Sequence, residues 1–157
     1  MVGAMDKPAS DSFMAQALDE ARAAARRGEV PVGAVVVEAA TGRVLARAGN
    51  ETEAAHDPTA HAEILALRRA AQARGEPRLP DCDLYVTLEP CAMCAAAISH
   101  ARIRRLYFGA YDAKGGGVEH GPRFFAQPTC HHAPEVVGGL GETAAAALLK
   151  VFFQDRR

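Results

Sequence analysis

Apolar residues recur at Phe13, Met14, Ala17, Leu18 and Ala21, the spacing of one helix face, while Glu20 and Arg22 to Arg27 fill the other. Ser10, Asp11 and Ser12 are N-cap candidates and Gly28 is a stop, so a helix is predicted from about Asp11 to Arg27. Pro31 opens the run Val32-Gly33-Ala34-Val35-Val36-Val37, too short and too rich in β-branched residues for a helix. Ala40-Thr41-Gly42 supplies a turn, and Val44 to Ala48 returns as the second strand of a hairpin. A polar loop, Gly49 to Pro58, precedes a second helix, predicted to be capped by Thr59 and to carry Ile64, Leu65, Leu67 and Ala70.

After a Gly/Pro-rich connection from Arg74 to Pro80, Leu84 to Leu88 reads as a buried strand. Pro90 stands near the start of a helix from Cys91 to about His100, and Ile103, Leu106, Tyr107 and Phe108 make another strand. Asp112 to Gly117 reads as a flexible loop, and Val118 to His132 shows no period that assigns it. Val136-Val137 is a short last strand before a helix from Glu142 to Phe153. This alternation predicts an α/β fold, a three-layer α/β/α sandwich around a mixed five-stranded sheet.

A chain of 157 residues suits one domain, taken as residues 10–157 behind a short disordered lead of residues 1–9. A net charge of −1 sets up no global basic field, so a polyanion would have to be held by local arginines. No apolar run approaches the length of a membrane span, and the expected location is the cytoplasm, without a membrane partner. The four cysteines, Cys82, Cys91, Cys94 and Cys130, fit a reduced metal site better than a disulfide framework.

The chemistry concentrates between His56 and Cys94. His61 offers an imidazole and Cys91 and Cys94 a pair of thiolates, a donor set that suits Zn2+. Three protein ligands leave one tetrahedral position for water, the mark of a catalytic zinc. Glu63 is near enough to reach that water without binding the metal, and can serve as its proton acceptor. In a helix His61 and Glu63 point about 200° apart, so the metal must sit at the helix N-terminus, where they share a side. The bland alternatives are a buried histidine with inert thiols, or a closed four-ligand structural zinc. Elsewhere Cys82 reads as a core thiol, His56 as a loop-positioning residue and His100 as a helix-end residue. Cys130-His131-His132 suggests a second metal but lacks a spaced partner pair. Arg102, Arg104 and Arg105 are solvated by default, with an RNA-backbone role as the alternative.

His-x-Glu followed by Pro-Cys-x-x-Cys resembles the signature of the zinc-dependent nucleobase and nucleoside deaminases. Glu29 to Ala34, His56 to Ile64, Thr87 to Cys94, Arg102-Ile103, Phe108 to Ala110 and Asp112 to Lys114 extend that likeness. With Phe152-Phe153 and Arg156-Arg157 they make the chain similar, from about Phe13 onward, to the bacterial tRNA-specific adenosine deaminases. The resemblance implies a cytidine-deaminase-like fold, a homodimer, and hydrolysis of the wobble adenosine of a tRNA anticodon stem-loop to inosine. It implies His61, Cys91 and Cys94 as zinc ligands and Glu63 as the proton shuttle for attack at C6. It further implies nucleoside contact by Asn50, nucleic-acid contact by Asp112, and a base pocket walled by Val32 and Ala34. The departure is Gly115 to His132, where family members carry a more apolar helical segment. Phe124 and Phe125 within it either stack on anticodon bases or belong to the core. The competing activity is deamination of a free base or nucleoside such as guanine, cytosine or adenosine, and the competing class is an RNA-binding partner subunit without turnover.

Overall fold

A computed structural model describes residues 3–156, with side chains for residues 9–156. Helix α1 (Gly3–Arg26) precedes an antiparallel hairpin of β1 (Gly33–Glu38) and β2 (Arg43–Gly49). Then come α2 (Ala62–Arg74), β3 (Cys82–Leu88), α3 (Ala92–His100) and β4 (Arg105–Ala110). A single 3-10 turn (Phe124–Ala126), β5 (Glu135–Val137) and α4 (Glu142–Gln154) complete the chain. The five strands form one sheet in the order β2-β1-β3-β4-β5. β1 is antiparallel to β2 and β3, and β3, β4 and β5 run parallel, so the sheet is mixed as expected.

Alternation along the strands divides the core into two layers. Ala34, Val36, Leu84, Val86, Leu106 and Phe108 pack against Ala66 and Leu67 of α2 and Ala95 and Ile98 of α3. Val35, Val37, Tyr85 and Tyr107 face the other way, onto Met14, Ala17 and Leu18 of α1 and Ala145 of α4. The rings of Tyr85 and Tyr107 stack there at 4.4 Å. Gly33 is needed where α1 crosses β1, because a Cβ at that position would run into the Ala17 carbonyl oxygen and come within 2.6 Å of the Ala21 nitrogen.

Several boundaries differ from expectation. Residues 1–2 of the supposed disordered lead lie outside the described residues, and Gly3 to Ala9 continue α1 as helix. Ala, Met and Lys are good helix formers, and the helix runs through Pro8, the one strong breaker in the stretch, without ending there. Ser10 is therefore inside the helix, and its hydroxyl pairs with that of Tyr85 at 3.4 Å. Thr59 caps nothing: its N–H and hydroxyl both donate to Asp57 Oδ1, at 2.8 and 2.7 Å, and His61 is the N-cap residue of α2. Asx geometry captured the threonine before the helix began. Ile103 is buried but precedes β4.

One edge of the sheet gathers the ends that matter. β3 and β4 are parallel and both end there, β2 ends there, and antiparallel β1 begins there. Connections leaving the carboxyl ends of parallel strands are where α/β folds place their sites.

Candidate active site

β3 runs directly into Glu89-Pro90-Cys91, and Cys91 is the N-cap residue of α3. His61 is the N-cap residue of α2. Two extended cap residues, each at a helix start, thus face one another, and neither cap makes a side-chain hydrogen bond to its own helix. Both side chains are left for something else. Cys94, one turn into α3, is fully buried beneath them.

His61 Nδ1 lies 3.7 Å from Cys91 Sγ and 3.5 Å from Cys94 Sγ. Zinc–sulfur bonds of about 2.3 Å and zinc–nitrogen bonds of about 2.0–2.1 Å at a tetrahedral angle place nitrogen and sulfur about 3.6 Å apart. The donor set therefore fits Zn2+ without rearrangement. Among the described residues these three are the group of His, Cys and acidic side chains that could hold a metal ion.

The protonation pattern points the same way. A hydrogen bond from Cys94, with His61 alongside, draws the Cys91 thiol down to about 4, whereas that same bond and burial push Cys94 well above the ordinary thiol range. His61 is raised, chiefly by its contact with Cys91. A thiolate at a helix N-terminus beside an imidazole is a site already charged for a cation, and metal binding releases the remaining thiol proton.

Glu63 is in the first turn of α2 and only 4% exposed. Burial, with the Cys91 thiolate nearby, pushes its pKa up to about 7. Between about 4.5 and 7 the folded chain then holds a proton that the unfolded chain has lost, so this group subtracts stability as pH rises through that window. In the metal-free protein Glu63→Gln is expected to raise the melting temperature by several degrees at pH 8 and by much less at pH 5. Thermal melts at the two pH values check this, and an equal gain at both would contradict it.

A cleft of about 330 Å³ opens over this group, lined by Val30, Val32, Asn50, Thr52, Leu88 and Asp112 besides His61, Glu63 and Cys91. Val32, Asn50 and Asp112 thus line the cleft. Ala34 does not: it faces the same side as Val32 but lies two residues farther into β1, fully buried in the core layer beneath α2. Asn50 Oδ1 accepts the Ala62 N–H at 2.9 Å, satisfying one of the free donors at the start of α2 and leaving the amide nitrogen for other partners. A larger cleft of about 650 Å³ borders Phe13, Asp83, Tyr85, Arg104 and Tyr107. Its charged groups are already paired, Arg104 with Asp83 at 2.7 Å, Asp81 with Arg74 and Arg105 with Glu135.

Two carboxylates that the sequence did not single out hold the loops of the cleft. Glu29, 1% exposed, accepts from the Glu53 and Ala54 amides at 3.2 and 2.9 Å and from the Thr52 hydroxyl at 3.4 Å. Glu89, 2% exposed, accepts from the amides of Asp112, Val118, Glu119 and His120 and from the His120 ring. An acidic residue after an apolar strand ordinarily faces water, so only its neighbours in space reveal it. Glu89 also corrects the expected flexible loop. Gly116 and Gly117 are buried: a Cβ at Gly116 would collide with Glu89 Oε2, and one at Gly117 would lie 2.5 Å from the Ala92 nitrogen. The glycines serve close approach.

The remaining candidates resolve as scaffold. His132 Nε2 donates to the Ile103 carbonyl at 2.7 Å and Cys130 Sγ to the His132 carbonyl at 3.2 Å, which pins that tripeptide. Cys82 is buried in the core, its thiol pushed up to about 11 by burial. Arg102 donates to the Ser99 carbonyl and Arg105 pairs with Glu135. Phe124 and Phe125 stand edge to face with each other and, partly buried, pack against the core layer of α2 and α3. His56 is exposed, in a left-handed turn with φ 49°.

Comparison with known proteins adds what geometry cannot. Residues 8–110 match the family model described as the cytidine and deoxycytidylate deaminase zinc-binding region. A tRNA-specific adenosine deaminase of Agrobacterium fabrum is 62% identical over 92% of this chain and 94% of its own length. A solved structure from work on A-to-I editing by tRNA:A34 deaminases at the wobble position has a TM-score of 0.85 and 63% identity, covering 88% of this chain and 99% of that one. A guanine deaminase from Nitrosomonas europaea has a TM-score of 0.80 at 26% identity, covering 90% and 83%.

Proposed function

The chain belongs to the cytidine and deoxycytidylate deaminase zinc-binding family, within its tRNA-specific adenosine deaminases, and on that premise we propose that it hydrolyses the wobble adenosine of a tRNA anticodon to inosine and ammonia. The observation that carries the substrate is the 62% identity over nearly the whole of both chains. The likeness to guanine deaminase, at 26% identity, is weaker and makes a free base the alternative.

His61, Cys91 and Cys94 would hold Zn2+, which when bound would supply the acidity that makes a water nucleophilic near neutral pH. The rest falls to the chain. Glu63 takes a proton from the attacking water and passes it to N1 of the adenine as the C6–O bond forms. It then takes the remaining proton from the new C6 hydroxyl and delivers it to the C6 amine as the C–N bond breaks, so ammonia leaves and the purine keeps the oxygen as a carbonyl. A buried carboxyl whose pKa lies near 7 is suited to both tasks, since it accepts and releases a proton at similar cost. A cleft of about 330 Å³ admits one nucleoside and no duplex, so the base must be turned out of its stack to reach Glu63. Asn50 contacts that nucleoside, Val32 borders the base, and Asp112 at the rim contacts the neighbouring nucleotide.

The same reading makes the protein a homodimer acting in the cytoplasm, where its tRNA is. Support for a partner comes from the short apolar helix α3, which leaves Met93 36% exposed beside the metal ligands. No helix among the described residues is long and apolar enough to cross a membrane. The test is incubation of the zinc-loaded protein with an anticodon stem-loop RNA beside free adenosine, guanine and cytosine. Inosine in the RNA alone is expected, and conversion of a free base alone would overturn the assignment.

A further inference from the structure

We propose that Glu89 is a positioning residue for RNA binding: it holds Asp112 at the rim of the cleft by gripping the backbone of the loop that carries it. The proposal rests on the tRNA reading above. Glu89 Oε1 accepts the Asp112 N–H at 3.0 Å and the His120 Nδ1–H at 2.8 Å. Oε2 accepts the N–H groups of Val118, Glu119 and His120 at 3.2, 2.8 and 3.1 Å. Five donors on one buried carboxylate are a complete set, and the two oxygens divide the loop between them. One grips the end that carries Asp112, the other the end that returns toward the core.

The loop has little else to hold it. Asp112 Oδ1 accepts the Lys114 and Gly115 amides at 3.2 and 2.9 Å, which shapes the turn but anchors it to nothing outside. Anchorage comes from Glu89 and from the Gly117 N–H donating to the Pro90 carbonyl at 2.7 Å. Residues 89 and 90 directly precede the ligand Cys91. The rim of the cleft and the metal site are therefore built on one stretch of chain. Every group within reach of the Glu89 carboxylate is a donor, so it acts only as an acceptor.

This division makes Glu89→Gln a selective probe. A glutamine keeps one acceptor oxygen, which belongs opposite the three amides. Its NH2 then faces the Asp112 N–H, donor against donor, while the His120 ring can change tautomer and accept. The substitution loosens Asp112 and spares the rest. With the stem-loop RNA as substrate, Glu89→Gln is expected to raise KM about tenfold, with kcat within about twofold and one zinc per chain. Asp112→Ala is expected to raise KM similarly. The double variant should do no more than Asp112→Ala alone, because Glu89 acts through that residue.

A normal KM in a folded, zinc-replete Glu89→Gln overturns the proposal, as do KM effects that multiply in the double variant. Should Glu89→Gln fail to fold, His120→Ala removes one donor from the same oxygen and leaves the buried carboxylate. A KM rise of about two- to threefold that vanishes in the Asp112→Ala background supports the proposal, and an unchanged KM refutes it. Wild-type protein inactive on RNA removes the substrate reading and this inference with it, whereas active wild type with an indifferent Glu89→Gln removes the inference alone.

Discussion

Glu63→Ala is expected to abolish inosine formation, lowering kcat by at least about 10³-fold, while the protein keeps its fold and its zinc. General acid–base catalysis by a placed side chain typically contributes about 10²–10⁴-fold, and in the proposed mechanism one carboxyl serves both proton transfers. Glu63 is not among the metal donors, so its loss leaves His61, Cys91 and Cys94 in place. The measurement is single-turnover conversion of the stem-loop RNA, with zinc content determined on the same sample. Activity close to wild type would show that the proton is carried by another group. Loss of zinc together with activity would instead make Glu63 part of the metal site's scaffold.

The second large effect concerns Cys94. Cys94→Ala is expected to reduce zinc below one per chain and remove activity. It leaves two of three ligands, and it removes the Cys94 hydrogen bond that does most to draw the Cys91 thiol down, with His61 alone still beside it. Stability should fall as well. Cys94 is fully buried between α3 and the start of α2, and metal binding energy is folding energy where the ligands come from separate elements. Denaturant titration of wild type with and without chelator supplies the comparison. Chelation should destabilise wild type and leave Cys94→Ala nearly unmoved; an equal response of the two would place the zinc elsewhere.

What could be read in the sequence depended on whether local pattern or a distant partner decided the outcome. The valine run of β1, the turn at Gly42 and the return in β2 are local, and the hairpin is where they predict it. The metal set was legible because two helix starts and a strand end each carry their own signals, and the donor residues stand at those junctions. Ser10 and Thr59 misled because each has a cap's chemistry but found another partner, Tyr85 in one case and Asp57 in the other. Ala34 was placed beside Val32 by family resemblance; the two share a face of the strand, but Ala34 lies deeper along it, where the core covers it. Val118 to His132 resisted assignment because little of it is ordered by a period. Its shape comes from Glu89, some 30 residues earlier, and from the Ser99 hydroxyl donating to the His132 carbonyl at 2.6 Å. No window of local sequence contains both halves of those bonds.

The grip of Glu89 on main-chain amides has a consequence for how such a protein can change. Apart from the His120 ring, that clasp holds N–H groups and does not inspect the side chains attached to them. Ala113, Lys114, Glu119 and Pro122 are exposed or make no contact with the clasp, so that stretch can be rewritten while its path is kept, provided Gly116 and Gly117 remain small. Glu29 does the same for Glu53 and Ala54 on another wall. The mouth of the cleft is thus a region of high mutational freedom mounted on a fixed catalytic floor. Substrate preference can drift there, in nature or in a library, without renegotiating the chemistry beneath.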